Sequence, residues 1–113
     1  MSKQKHSELL AKAVDLVDRD RLVQLTVDLT NIPSPTGSEG DMARAVHQVL
    51  SSAGLDATLQ PIGDERYNAI GRLQGQGGGK SLMFNGHLDT SFGPEQAHRG
   101  IGYECRGTVI DDE

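Results

Sequence analysis

The sequence predicts the opening of a layered α/β domain, with helices first and extended segments after them. Three observations carry this expectation. Met42, Ala45, Val46, Val49, Leu50 and Ala53 recur at i, i+3, i+4, i+7, i+8 and i+11, the period of a helix buried along one side. Upstream of it lie two further apolar stripes at helical spacing. Downstream, Asp56–Ile62, Tyr67–Leu73 and Ser81–Asn85 are short apolar-containing runs separated by turn residues, as strands are.

Ser7 is placed to cap a first helix whose stripe is Leu9, Leu10, Ala13, Val14, Leu16 and Val17. Asp18 or Asp20 offers a second cap, ahead of Leu22, Val23, Leu25, Leu29 and Ile32, so the pattern fits two helices or one bent one. Pro33 and Pro35 remove two donors and push the residues before them out of the helical region, which makes 31–37 a turn. Ser38 followed by Asp41 resembles a shortened capping box, and Glu39 and Asp41 put negative charge at the start of the main helix. Gly54 ends that helix at the C′ position. In the first strand Ala57, Leu59 and Pro61 alternate with Thr58, Gln60 and Ile62. The glycine-rich 74–80 segment reads as a hairpin turn into a buried strand over Ser81–Asn85. Residues 90–106 show no period and are expected to loop, and Gly107–Ile110 resembles a strand interrupted at Asp111-Asp112-Glu113. The polar first residues look like a natural start, and the C-terminal end looks like an interruption.

Composition narrows the class. The 113 residues are 35% hydrophobic and 4% aromatic, with 14 glycines. It takes those glycines to bring the apolar share up to the usual ~45–50% with Gly counted, and glycine buries no side chain, so a thin core and hence part of a larger domain are expected. A net charge of −5, without a Lys/Arg cluster, argues against nucleic acid or an anionic membrane as partner. The single Cys105 excludes an internal disulfide and a cysteine-rich metal site. No signal-like leader or membrane-length apolar run is present, so a cytoplasmic location is expected.

The chemistry concentrates at Asn85-Gly86-His87-Leu88-Asp89-Thr90. Side chains at i and i+2 of an extended segment share a face, so Asp89 can buttress the His87 imidazole in the way a carboxylate holds a metal-binding histidine. Other candidates are weaker. Gly79-Lys80-Ser81 ends like a phosphate loop but leads into a strand, where such a loop must open a helix. His47 falls on the polar face of the main helix, His6 in the polar start and His98 in the loop. Cys105 is expected as an ordinary thiol, and Asp111, Asp112 and Glu113 as a solvated acidic run.

The order Ile32-Pro33-Ser34-Pro35-Thr36-Gly37-Ser38-Glu39, a helix, Tyr67-Asn68-Ala69-Ile70-Gly71-Arg72-Leu73, then Leu82-Met83-Phe84-Asn85-Gly86-His87-Leu88-Asp89-Thr90 resembles the start of the zinc aminoacylase and carboxypeptidase family, over about Leu22 to Thr90. This family includes acetylornithine deacetylase, succinyl-diaminopimelate desuccinylase and glutamate carboxypeptidase. The resemblance implies that residues 1–113 form the N-terminal part of a helix–sheet–helix catalytic domain, incomplete and without the lid or dimerisation domain. It implies a parent with two zinc ions (cobalt being an alternative) that cleaves a small N-acyl amino acid or a peptide with metal-activated water. His87 would be a metal ligand and Asp89 the catalytic-site carboxylate that orients it. The resemblance allows a homodimer in the parent. The family's bridging aspartate, general-base glutamate and remaining ligands have no counterpart before Glu113, so this chain alone is expected to be inactive. A non-catalytic binding or structural module that keeps part of the fold is the alternative. A truncated reading frame or isolated subdomain without function is a third.

Overall fold

The computed structural model describes residues 3–91 and 107–110. Three helices precede one antiparallel hairpin, so the chain is mixed α/β. Helix α1 spans Lys3–Asp15 and α2 spans Arg19–Thr30. Between them Leu16 N–H bonds to Ala13 C=O at 3.3 Å and Val17 N–H to Val14 C=O at 3.0 Å, tight closures that end the first helix. The sequence alternative of two helices is therefore the one adopted. Asp18 is the cap of α2: its backbone is extended and its carboxylate accepts the Arg21 N–H at 3.0 Å. Ser7 does not cap α1. It lies inside that helix, and its hydroxyl donates to Lys3 C=O at 3.2 Å, because the helix begins earlier than its apolar stripe. Asp18→Ala should cost about 1 kcal/mol of α2 stability, read as lost helicity by far-UV circular dichroism on warming.

Helix α3, Gly40–Ser52, carries the packing. It lies on both strands of the hairpin. Its Met42 and Ala43 are the buried apolar side chains among the described residues. Gly54, at φ 84°, follows as the left-handed C′ residue expected there. The expected capping box is absent: the cap residue is Glu39, its side chain makes no capping bond, and it is drawn instead to an arginine on the hairpin. Met42→Ala should remove about 2 kcal/mol, the low end for a buried methionine, because a core this thin can collapse around the gap. Urea unfolding would measure it.

Strands β1 (Asp56–Gly63) and β2 (Arg66–Arg72) pair antiparallel, with Asp56 opposite Arg72 and Leu59 opposite Ala69. The register slips between Pro61 and Gly63, where the proline could not donate to a regular ladder. The reversal runs through Asp64 and Glu65, and Glu65 takes the left-handed conformation at φ 54°. The hairpin thus closes one turn earlier than the glycine-rich 74–80 segment. That segment does turn, with Gly77 and Gly78 at positive φ, but it joins β2 to a run that pairs with no strand of the described chain.

The expected buried strand over Ser81–Asn85 is the main correction. Leu82, Met83 and Phe84 are 80%, 82% and 90% exposed. An extended run becomes a strand only when a neighbour accepts its N–H and C=O groups, and none of the described residues offers that ladder. Residues 107–110 likewise form no strand; the Gly107 N–H is tied to the Asn31 side chain at 2.9 Å, against the end of α2. The α1 stripe is exposed along Leu9, Leu10, Val14, Leu16 and Val17. Among the described residues no helix is long and apolar enough to cross a membrane.

Candidate functional site

The proline-rich turn and the segment around His87 lie against each other. Pro35 and Thr90 form a parallel bridge, with Thr90 N–H donating to Ser34 C=O at 2.7 Å. The Thr90 hydroxyl reaches the same carbonyl at 3.2 Å. Ser34 is fully buried and its hydroxyl donates to Leu88 C=O at 2.8 Å. Thr36 completes the seam, donating its hydroxyl to Asp89 Oδ2 at 2.6 Å. The two prolines make this possible by holding the turn extended, so that its polar groups point outward to a second segment.

His87 and Asp89 are in contact, as their spacing leads one to expect, but not only through the carboxylate. His87 Nδ1 lies 2.7 Å from the Asp89 main-chain oxygen and 3.2 Å from Asp89 Oδ1. Both neighbours are acceptors, so the neutral ring carries its hydrogen on Nδ1 and presents the Nε2 lone pair outward. The ring is 84% exposed, whereas Asp89 is half-buried. The Thr36 hydroxyl holds the Asp89 carboxyl below the usual range, with smaller help from its own backbone and from His87.

A second pair stands beside the first. Arg66 donates Nε to Glu39 Oε2 and Nη2 to Glu39 Oε1, both at 2.8 Å, a bidentate clamp. Gly37 N–H adds a third donor to Glu39 Oε1 at 2.9 Å. These bonds, led by the one from Arg66, lower the Glu39 carboxyl to about 2, and Glu39 in turn raises the Arg66 guanidinium. The pair links the turn to the first residue of β2. Glu39, Arg66, Tyr67, His87, Leu88 and Asp89 line one open cleft. The sequence reading missed Arg66, Thr36 and Ser34 as parts of this region, because partners 27, 53 and 54 positions apart leave no local signal. The one available hint was a buried-type turn followed by Glu39, an acid that needs a cation once its surroundings are dry.

The donor set fits one ligand of a zinc site, an imidazole with its free nitrogen outward and an oriented partner behind it. It is not a complete site: a catalytic zinc takes about three protein ligands, and among the described residues no three His, Cys, Asp or Glu side chains gather to hold an ion. His6 lies exposed in α1 and His47, expected to be solvated, is half-buried in α3. Gly79-Lys80-Ser81 opens no helix, which leaves the phosphate-loop reading without its geometry. His98, Cys105, Asp111, Asp112 and Glu113 lie outside the described residues.

Compared with known proteins, the chain is 30% identical over 74 residues to a candidate LysW-lysine/LysW-ornithine hydrolase of Pyrococcus abyssi (strain GE5 / Orsay). The match takes in 66% of this chain and 20% of that relative, so the chain spans about a fifth of its length. No family model matches the chain. No solved structure matches it.

Proposed function

We propose that this chain is the N-terminal portion of the catalytic domain of a metal-dependent amide hydrolase acting on a small N-acyl amino acid or peptide. The supporting observation is the seam itself: a proline turn, 53 to 54 residues upstream, grips the segment that carries an outward-facing imidazole backed by a carboxylate. The similarity to a hydrolase over 74 residues supports the same reading. In it His87 Nε2 would ligate zinc and Asp89 would fix the ring. Zinc, when bound in such a site, supplies a polarised carbonyl and an activated water. This chain's own part is to hold His87 in one orientation and, through Glu39 and Arg66, to keep the turn fixed against the hairpin. The remaining ligands and the general base would come from sequence beyond Glu113.

The coding sequence after Glu113 tests the reading. A continuing frame whose longer product binds zinc and hydrolyses N-acyl amino acids, both lost in His87→Ala, would support it. A longer product that binds no zinc would sink it. The 113-residue chain alone should show no amidase activity and only weak zinc affinity, since one imidazole cannot hold the ion against water. Calorimetry showing tight, stoichiometric zinc binding that disappears in His87→Ala would overturn that expectation. A stop codon directly after Glu113, with a partner protein captured by the cleft, would favour the alternative of a non-catalytic module.

A further inference from the structure

We propose that Ser34 and Thr36 are positioning residues for His87, each placing one of the two acceptors that hold its Nδ1 hydrogen. The main-chain acceptor, Asp89 C=O, sits between Leu88 and Thr90, and both of those are fixed by Ser34. Its hydroxyl donates to Leu88 C=O at 2.8 Å, and its carbonyl accepts Thr90 N–H at 2.7 Å. The side-chain acceptor, Asp89 Oδ1, is set by Thr36, whose hydroxyl takes the other carboxylate oxygen at 2.6 Å and stops the group from rotating. Ser34 is fully buried while Thr36 is exposed. The first therefore fixes backbone and the second trims a side chain without supporting the core. An exposed imidazole without these acceptors would exchange its hydrogen between the two nitrogens and turn freely about its bonds. The consequence is a ring locked with Nε2 outward by residues more than 50 positions away. The functional meaning of that lock rests on the hydrolase reading above, whereas its existence does not.

The test uses the 113-residue protein labelled with ¹⁵N-histidine and observed by long-range ¹H–¹⁵N spectra at alkaline pH, where imidazoles are neutral. His87→Gln assigns the His87 signals. The wild-type His87 ring should show a dominant Nδ1–H pattern. Thr36→Val should shift the tautomer ratio toward that of a free imidazole, by roughly the fivefold that one net hydrogen bond represents. Thr36→Ser, which restores the hydroxyl, should return the wild-type pattern, a rescue that lost packing would not give. Ser34→Ala combined with Thr36→Val, which leaves only the main-chain carbonyl of residue 34 holding Thr90, should move the ring further toward the free ratio than Thr36→Val alone while the α3 amide signals stay native. A free-imidazole pattern in the wild type overturns the proposal without any variant. So does an unchanged ring in the folded double variant. If the double variant unfolds, the exposed Thr36→Val change decides alone: a wild-type ring there overturns the proposal. No metal or substrate enters the measurement, so its failure and the failure of the hydrolase reading are separate results.

Discussion

Replacing Gly40 with valine should detach the start of α3 from the hairpin and cost about 3 kcal/mol, the upper end for overpacking. A Cβ built at Gly40 falls 2.5 Å from the Glu65 carbonyl oxygen and 3.1 Å from Arg44 Nη2. The arginine can swing away, but the carbonyl belongs to the tight turn in which Glu65 is already left-handed. One of the two backbones must therefore move. Alanine at the same place meets the same oxygen, although its better helix propensity offsets about 1 kcal/mol of the cost. Gly75, with no atom within 4 Å of its would-be Cβ and no positive φ, is the control, and Gly75→Ala should be nearly neutral. Chemical unfolding of the three variants, followed by helicity, checks the ranking. A Gly40→Val protein as stable as Gly75→Ala would show that α3 does not dock on the turn.

Loss of the Glu39 charge should weaken the fold more than loss of any other acid in the described chain. Glu39 is buried and takes three donors, whereas Asp41 and Glu65, which share Arg44, are largely exposed. Exposed pairs contribute little, whereas the Glu39 carboxylate is 7% exposed at its side chain and its loss weakens three hydrogen bonds at once, although Arg66, at 40% exposure, can turn to water. Glu39→Gln should therefore lower the thermal midpoint clearly, and Asp41→Asn hardly at all. Acid should do the same without mutation. The folded-state carboxyl lies at about 2, below its ordinary 4.5, so its contribution is complete above 4.5 and is lost as pH falls toward 2. Asp89, also depressed, acts with the same sign. Stability measured across this window should fall in the wild type and fall less steeply in Glu39→Gln. Equal slopes in the two proteins would refute the assignment.

Local features of this chain were legible in the sequence, and long-range ones were not. The i, i+3, i+4 pattern located α3, and Gly54 marked its end, because a helix is stabilised by residues near each other in the chain. A cap at Asp18 or Asp20 was readable for the same reason, and Asp18 is the one that takes the role. The extended character of β1 and β2 was readable, but their pairing was not. Their turn uses Glu65 in a left-handed conformation where glycine or asparagine is the usual signal, so the glycine-rich 74–80 segment drew the hairpin to itself. The run at Leu82-Met83-Phe84 has the composition of a buried strand, yet composition cannot say whether a neighbouring strand is at hand. The contact between His87 and Asp89 followed from the two-residue repeat of extended backbone. The larger share of the Asp89 main-chain oxygen did not, nor did the clamp between Glu39 and Arg66.

The seam between Ser34 and Leu88 also sets an order of events in folding. Closing a flexible loop of 54 residues costs about 3–4 kcal/mol of chain entropy, repaid by only a few hydrogen bonds. Docking α3 on the hairpin first converts most of that loop into a rigid block and leaves two short flanks to close. The nucleus should therefore be α3 with β1 and β2, and the seam should zip late, contributing to the unfolding rate more than to the folding rate. In native-state hydrogen exchange the Thr90 amide should then open before the amides of α3, a sub-global fluctuation that releases His87 while the rest of the fold stays intact.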